Sequence, residues 1–373
     1  MKARFEKREY LILNKQPLAG TTLVNWAKVL IENRFHIDWQ FIPKAMYVTT
    51  MILGTTPLRL MEQRNLEEKL ENITIEKPIF IIGHWRSGTT FLQYLLGKDT
   101  NLGYVSTMET LDPSIFLKYD KLLGTIVANS LPEKRPMDNL EMGTNLPYEE
   151  EYAIANLSPY SFYHAWYFPR AIDRYFKRYV LYEGVERQIV DTWKHVYQSF
   201  LKKIAYKHPG KQIVLKSLVN TAKIKLLLEM FPDAKFIHQY RNPYEVYAST
   251  WKLYDSILPL FSFQHIDKEA FDKSILNIYR QLTEKYLRER HLIPKENLIE
   301  LRYEEFVQDP YKALETIYVT FGIPSFQNAR PAFEQYLKQH ATYERNHYII
   351  DEEMKKKVYQ AWGFIFKEYG YEK

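Results

Sequence analysis

A chain of 373 residues is long enough for one large domain or two modest ones, each with a substantial core. With 46% hydrophobic and 26% charged residues it is not a disordered chain, and with no cysteine it has no disulfide scaffold, thiolate metal site, iron–sulfur site or thiol nucleophile. The net charge of +6 suits an anionic ligand but is too small to imply nucleic acid. Glycine is scarce at 13 residues, while aromatics abound at 30 Tyr, 21 Phe and 7 Trp. The first sixteen residues are charged throughout, so no secretory signal is expected. No apolar run is long enough to predict a spanning helix, and a cytoplasmic protein is expected.

Residues 1–72 read as a helical N-terminal extension, with Leu23, Val24, Ala27, Leu30 and Ile31 recurring at helical spacing. Residues 41–61 are more apolar, interrupted by Lys44, Gly54, Pro57 and Arg59. The ordinary reading of such a helix is docking on the core. The sharper one is a peripheral membrane contact or the wall of an apolar pocket. At Pro78 the texture changes. Ile79-Phe80-Ile81-Ile82 is a continuous β-branched and aromatic run, as in a strand buried on both faces, and residues 89–97 are helical in pattern. Three more strands are predicted at 212–215, 234–238 and 297–301, followed by helices over 221–230, from Pro243, and over 311–321. Residues 150–205 and 256–295 read as helical insertions. This alternation predicts an α/β fold of three layers around a mostly parallel central sheet. With no repeat or low-complexity linker, the expected organisation is the extension over 1–72 and a single domain over 73–373.

Between the first strand and its helix lies Gly83-His84-Trp85-Arg86-Ser87-Gly88-Thr89-Thr90. A glycine-bounded loop that opens a helix presents backbone N–H groups and the positive helix end to an anion. The spacing is that of a P-loop, but Thr89 stands where the P-loop lysine would be. Without that lysine the loop is poorly equipped for nucleoside-triphosphate hydrolysis. Arg86 instead offers a fork for two oxygens of one anion.

These residues resemble the 5′-phosphosulfate loop of the sulfotransferases that use 3′-phosphoadenosine 5′-phosphosulfate (PAPS), which in the bacterial branch commonly reads G-x-P-R-S-G-T-T. Arg86, Ser87, Gly88, Thr89 and Thr90 match, and Trp85 replaces the proline. Phe236–Pro243 followed by Ser249 resembles the family's 3′-phosphate element, an arginine at a strand end (Arg241) and a serine eight residues on. By the same resemblance Tyr303 lies by the adenine, and Arg345, in a looser match, reaches the 3′-phosphate. The implied fold is P-loop-like, the implied co-substrate is PAPS, and no metal is implied.

The implied reaction is attack of an acceptor hydroxyl on the sulfuryl group. Arg86, the loop and Lys216 at the end of a strand would neutralise the oxygens that gain charge. Three groups compete as general base: Glu109, which resembles the catalytic glutamate of several relatives; the acidic cluster Glu149-Glu150-Glu151, with Glu150 at its centre; and His84 in the loop. Many bacterial relatives carry Leu-Lys-Ser-Pro-x-His where this chain has Leu215-Lys216-Ser217-Leu218-Val219-Asn220, and the missing histidine moves weight to Glu109. The aromatic run Ser161–Phe168 would either pack or line an apolar acceptor pocket. The expected acceptor is a small apolar alcohol, a steroid or lipid. The rivals are a sugar acceptor, a non-catalytic module that holds a nucleotide bisphosphate, and a kinase.

Overall fold

Each strand in the middle of this protein is apolar on both faces, which only a sheet covered on both sides satisfies. In the computed structural model, which describes residues 12–64, 66–135, 137–138, 140–340 and 348–373, five strands form one sheet. They are β1 (Ile79–Gly83), β2 (Leu102–Tyr104), β3 (Gln212–Lys216), β4 (Lys235–Tyr240) and β5 (Leu298–Arg302). Every neighbouring pair is parallel, and the order is β2-β3-β1-β4-β5. Ile79, Phe80, Ile81 and Ile82 of the central strand are fully buried. Each such side chain contributes about 1.5–3 kcal/mol of transfer free energy. The chain leaves β1 to one side, returns through β3, then crosses to β4 and β5. In open parallel sheets ligands collect at the carboxyl ends beside such a reversal.

The four strands expected from sequence are present, each extending a residue or two past the expected end. β2 is the addition: three residues around Gly103, too short for periodicity to reveal.

The chain divides into two compact units. The sheet lies in the unit formed by Ile75–Tyr104, Gly210–Trp251 and Ile275–Lys373. Its helices include Thr89–Leu96, Ile224–Met230 and Pro310–Phe321.

The other unit comprises Met1–Thr74, Val105–Pro209 and Lys252–Ser274. Its described part is helical, with Ile42–Gln63 and Arg187–Lys207 as its longest helices and Leu23–Glu32 and Asp120–Ser130 among the shorter ones. Its core is aromatic: Tyr163 stacks on Trp166 at 3.9 Å and Trp193 on Tyr197 at 4.8 Å. The run Ser161–Phe168 is buried throughout and serves this packing. The Ile42–Gln63 helix turns Lys44, Arg59 and Glu62 inward. Lys44 Nζ donates to the Pro259 and Leu260 carbonyls at 2.5 and 3.0 Å. Arg59 pairs with Asp112 at 3.1 Å, and Glu62 with Lys203 at 2.7 Å. Buried charges persist only with partners such as these. Burial nonetheless pushes the Asp112 carboxyl up to about 6, against the pull of Arg59.

Candidate active site

The loop after β1 is shaped by three residues with positive φ: Gly83 (141°), Arg86 (74°) and Gly88 (90°). A Cβ at Gly83 would lie 2.3 Å from the Gln239 carbonyl oxygen of the neighbouring strand, so the close approach of β1 and β4 requires glycine there. The Thr221 hydroxyl pins the same residue, accepting from Gly83 N and donating to Gly83 O, both at 2.7 Å. Arg86 adopts a left-handed backbone that costs a non-glycine residue about 1–2 kcal/mol. Alternation of hand in successive residues turns N–H groups toward one concave side, as an anion requires. The helix Thr89–Leu96 then starts at Gly88 with no side chain capping it.

Five residues singled out in the sequence converge on this loop. Arg86 Nε donates to Ser249 Oγ at 2.8 Å across 163 residues of chain. Arg241 Nη1 donates to the Arg86 carbonyl at 3.3 Å, and the Arg241 guanidinium lies 4.4 Å from the centre of the Tyr303 ring. That ring lies against Gly88, where a Cβ would sit 2.4 Å from two of its carbons. Ser249 thus meets Arg86 directly, and Arg241 reaches the same place through the loop backbone. Arg241 also pairs with Glu245 one helical turn on. Arg345 lies outside the described residues, but Tyr348, three positions later, donates its hydroxyl to Ser249 Oγ at 2.9 Å.

Several polar atoms here are buried and have no hydrogen-bond partner among the described residues: the donors Ser87 Oγ, Ser217 Oγ, Arg241 Nε and Gln239 Nε2, and the acceptor Gln239 Oε1. Buried polar groups ordinarily find partners, so such a cluster fits an oxyanion ligand. Gln239 and Thr221 were not singled out in the sequence. A glutamine inside a strand and a threonine in a short helical turn carry no motif of their own.

His84 occupies the loop but faces inward. It is 4% exposed, packs its ring on Tyr279 at 4.2 Å, and holds the Trp85 carbonyl through Nδ1 at 2.8 Å. Burial pushes its pKa down to about 3, with only the carbonyl opposing. An imidazole held neutral in this way is a weak proton acceptor, and its geometry is that of a packed side chain. Lys216 ends β3 opposite Ile81 of β1, with its side chain buried. Asn220 is buried as well.

The remaining candidates belong to the helical unit. Ser106 and Glu109 form a capping box: Glu109 Oε2 accepts from Ser106 N at 2.7 Å and Ser106 Oγ from Glu109 N at 3.5 Å. Glu109 Oε1 pairs with Lys207 Nζ at 2.5 Å, so both oxygens of this buried carboxylate are oriented by fixed donors. The acidic cluster is not a solvated face. Tyr197 OH donates to Glu150 at 2.8 Å, Ser161 Oγ to Glu151 at 2.6 Å, and Tyr163 OH to Glu149, all buried.

This unit also holds a cavity of about 280 Å³ that opens to the surface. Its wall is mostly apolar, with Tyr47, Met51, Leu123, Val127 and Tyr152 among its lining and Arg135 as a polar point. None of the run Ser161–Phe168 lines it.

The chain is 31% identical to the omega-hydroxy-beta-dihydromenaquinone-9 sulfotransferase Stf3 of Mycobacterium tuberculosis and of Mycobacterium bovis, over 95% of this chain and 91% of those proteins. Its fold is similar to the crystal structure of sulfotransferase STF9 from Mycobacterium avium, with a TM-score of 0.69 at 16% identity over 95% of this chain and 97% of that one. Sulfotransferase STF1 from Mycobacterium tuberculosis gives a TM-score of 0.59 at 15% identity, over 96% and 92% of the two chains. Residues 78–328 match the sulfotransferase family itself, from the first sheet strand to beyond Tyr303. The chain belongs to the sulfotransferase family and is a transferase enzyme.

Proposed function

We propose that this enzyme moves the sulfuryl group of PAPS to the terminal hydroxyl of a lipid alcohol. The observation that carries the donor half is the meeting of Arg86 with Ser249, beside Arg241 and the Gly88–Tyr303 contact. Two anion-binding elements far apart in sequence come together, as a nucleotide with phosphates at two positions needs. Arg86, Ser87, Gly88, Thr89 and Thr90 hold the 5′-phosphosulfate. Arg241, Ser249 and Arg345 hold the 3′-phosphate, and Tyr303 offers its ring to the adenine, a contact of about 1–3 kcal/mol. Lys216 neutralises sulfuryl oxygens. An oxygen–sulfur bond to the acceptor forms as the sulfur–oxygen bond to the 5′-phosphate breaks, and 3′,5′-adenosine bisphosphate leaves. Glu109 takes the hydroxyl proton. Each of its oxygens keeps a second lone pair after binding Ser106 N or Lys207.

The acceptor class rests on the relatives named for a hydroxylated menaquinone and on the apolar cavity of the helical unit. A screen of lipid, steroid, phenol and sugar alcohols with PAPS tests both halves. Turnover is expected on long-chain apolar alcohols. It is expected to fall when Arg86→Ala removes a charge-assisted contact, with bisphosphate affinity reduced about 10- to 100-fold. Turnover confined to sugars would overturn the acceptor class. Tight bisphosphate binding with no turnover on any alcohol would leave a binding module.

A further inference from the structure

The Ile42–Gln63 helix is amphipathic in the wrong sense for a water-facing surface. Its charges point inward beside Val48 and Ile52, while Ile42, Met46, Thr50, Leu53, Pro57, Leu60 and Met61 are exposed. At 100° per residue these seven positions fall within an arc of roughly 100°, so they form one continuous uncharged stripe. Met46 is 65% exposed and Leu60 59%.

The preceding segment repeats the pattern. On the Leu23–Glu32 helix, Leu23, Val24, Ala27 and Ile31 face outward while Asn25, Trp26 and Val29 are buried. Phe35 and Trp39 follow, Trp39 being 75% exposed. The two helices are tied to each other by Trp26 Nε1 donating to Thr49 Oγ1 at 3.0 Å. Their outward faces also share a sign of charge. Across residues 21–64 the exposed charged side chains are Lys28, Arg34 and Arg64, all basic.

We propose that this face docks on the surface of an anionic lipid bilayer, lying in the interface and not crossing it. Apolar stripes with an exposed tryptophan insert at the headgroup boundary, and lysines and arginines around them are drawn to anionic lipid. No described helix is long and apolar enough to cross a membrane, because the inward charges interrupt it. The stripe adjoins the cavity. Tyr47, Met51 and Thr55 line the cavity from the flank of the same helix, and the exposed Ile126 also belongs to its wall. A lipid acceptor therefore enters from the docked side. That last step rests on the lipid-acceptor reading; the docking does not.

The test is flotation of the full chain with vesicles of phosphatidylcholine alone or with added phosphatidylglycerol. The wild type is expected to float with the anionic vesicles and to be released by salt. The double substitution Met46→Glu/Leu53→Glu, on exposed positions, is expected to weaken partition about tenfold or more. It should leave the melting temperature and turnover on a short-chain, water-soluble alcohol unchanged. Lys28→Glu/Arg34→Glu should weaken partition to anionic vesicles in the same direction. No association of the wild type with anionic vesicles overturns the proposal, as does equal association of either variant. So does a dimer, seen by sedimentation, that the Glu substitutions split, because a second copy would then cover the face. Vesicle binding by an enzyme that sulfates only sugars upholds the docking and overturns the lipid-acceptor reading.

Discussion

Glu109→Gln separates the proposed base role of this carboxylate from the structural role that its capping box and ion pair give it. A general base at this position would supply about 10²- to 10⁴-fold of rate, equivalent to about 2.7–5.5 kcal/mol of barrier. As a structural residue, Glu109 closes a capping box and pairs with Lys207. Glutamine keeps a carbonyl oxygen for Ser106 N, so most of the cap survives. It loses the charge opposite Lys207, whose side chain is 35% exposed, so solvent screens the pair and the loss is about 1 kcal/mol. Against a typical folding stability of about 5–15 kcal/mol, that loss leaves the folded fraction essentially unchanged. The base role therefore predicts at least a hundredfold fall in kcat with bisphosphate affinity intact. A purely structural role predicts less than about a twofold change. Single-turnover kinetics with saturating PAPS, a bisphosphate titration and a thermal melt on the same preparation make the distinction. A kcat within about fivefold of wild type refutes the assignment to Glu109.

Gly88→Ala should destabilise the sheet unit by about 1–3 kcal/mol, because the residue sits at φ 90° and its new Cβ would strike Tyr303. Adding Tyr303→Ala should recover part of that loss, since it removes the clash but not the backbone strain; equal melting midpoints for the single and double variants would show that the ring is not in the way. Stability should also fall with acidification. His84, His164 and His238 are held near pKa 3, 4 and 3 by burial, against an ordinary 6.5. Below pH 6.5 the unfolded chain then binds more protons than the folded one, and stability drops as pH falls. From pH 6.5 to 5 each histidine costs about 1.6 kcal/mol, or about 5 together. Asp112, raised to about 6, binds its proton in the folded state and returns about 1 kcal/mol. Urea melts at the two pH values should show the net loss, and a flat or rising midpoint would contradict these neutral histidines.

The sheet was legible because its strands are short apolar runs, and the loop after β1 because its glycines stand where the backbone tolerates nothing else: Gly83 against Gln239, Gly88 against Tyr303. β2 escaped because three residues around a glycine have no period. Gln239 and Thr221 escaped because their role lies in which strand and turn lie beside the loop, a matter of topology. The burial of the acidic cluster was not legible for a different reason. Three adjacent glutamates normally face water, and burial becomes tolerable only through hydroxyls supplied by Tyr163, Ser161 and Tyr197, up to 47 residues away.

The Ile42–Gln63 helix carries the same lesson further. Periodicity reports that a helix has two faces, but not which face meets the protein. Here Lys44, Arg59 and Glu62 find the Pro259 and Leu260 carbonyls, Asp112 and Lys203 within the helical unit. Each partner is distant in sequence, so the ordinary assumption, apolar side in, had nothing to oppose it. Desolvating an ion pair recovers little or no net stability compared with apolar packing. A fold that buries three charges beside Val48 and Ile52 and exposes Met46, Leu53 and Leu60 thus forgoes part of the usual stabilisation of an amphipathic helix in water. What that arrangement does provide is an uncharged outer surface beside an apolar cavity, which is the arrangement an enzyme that takes its acceptor from a bilayer requires.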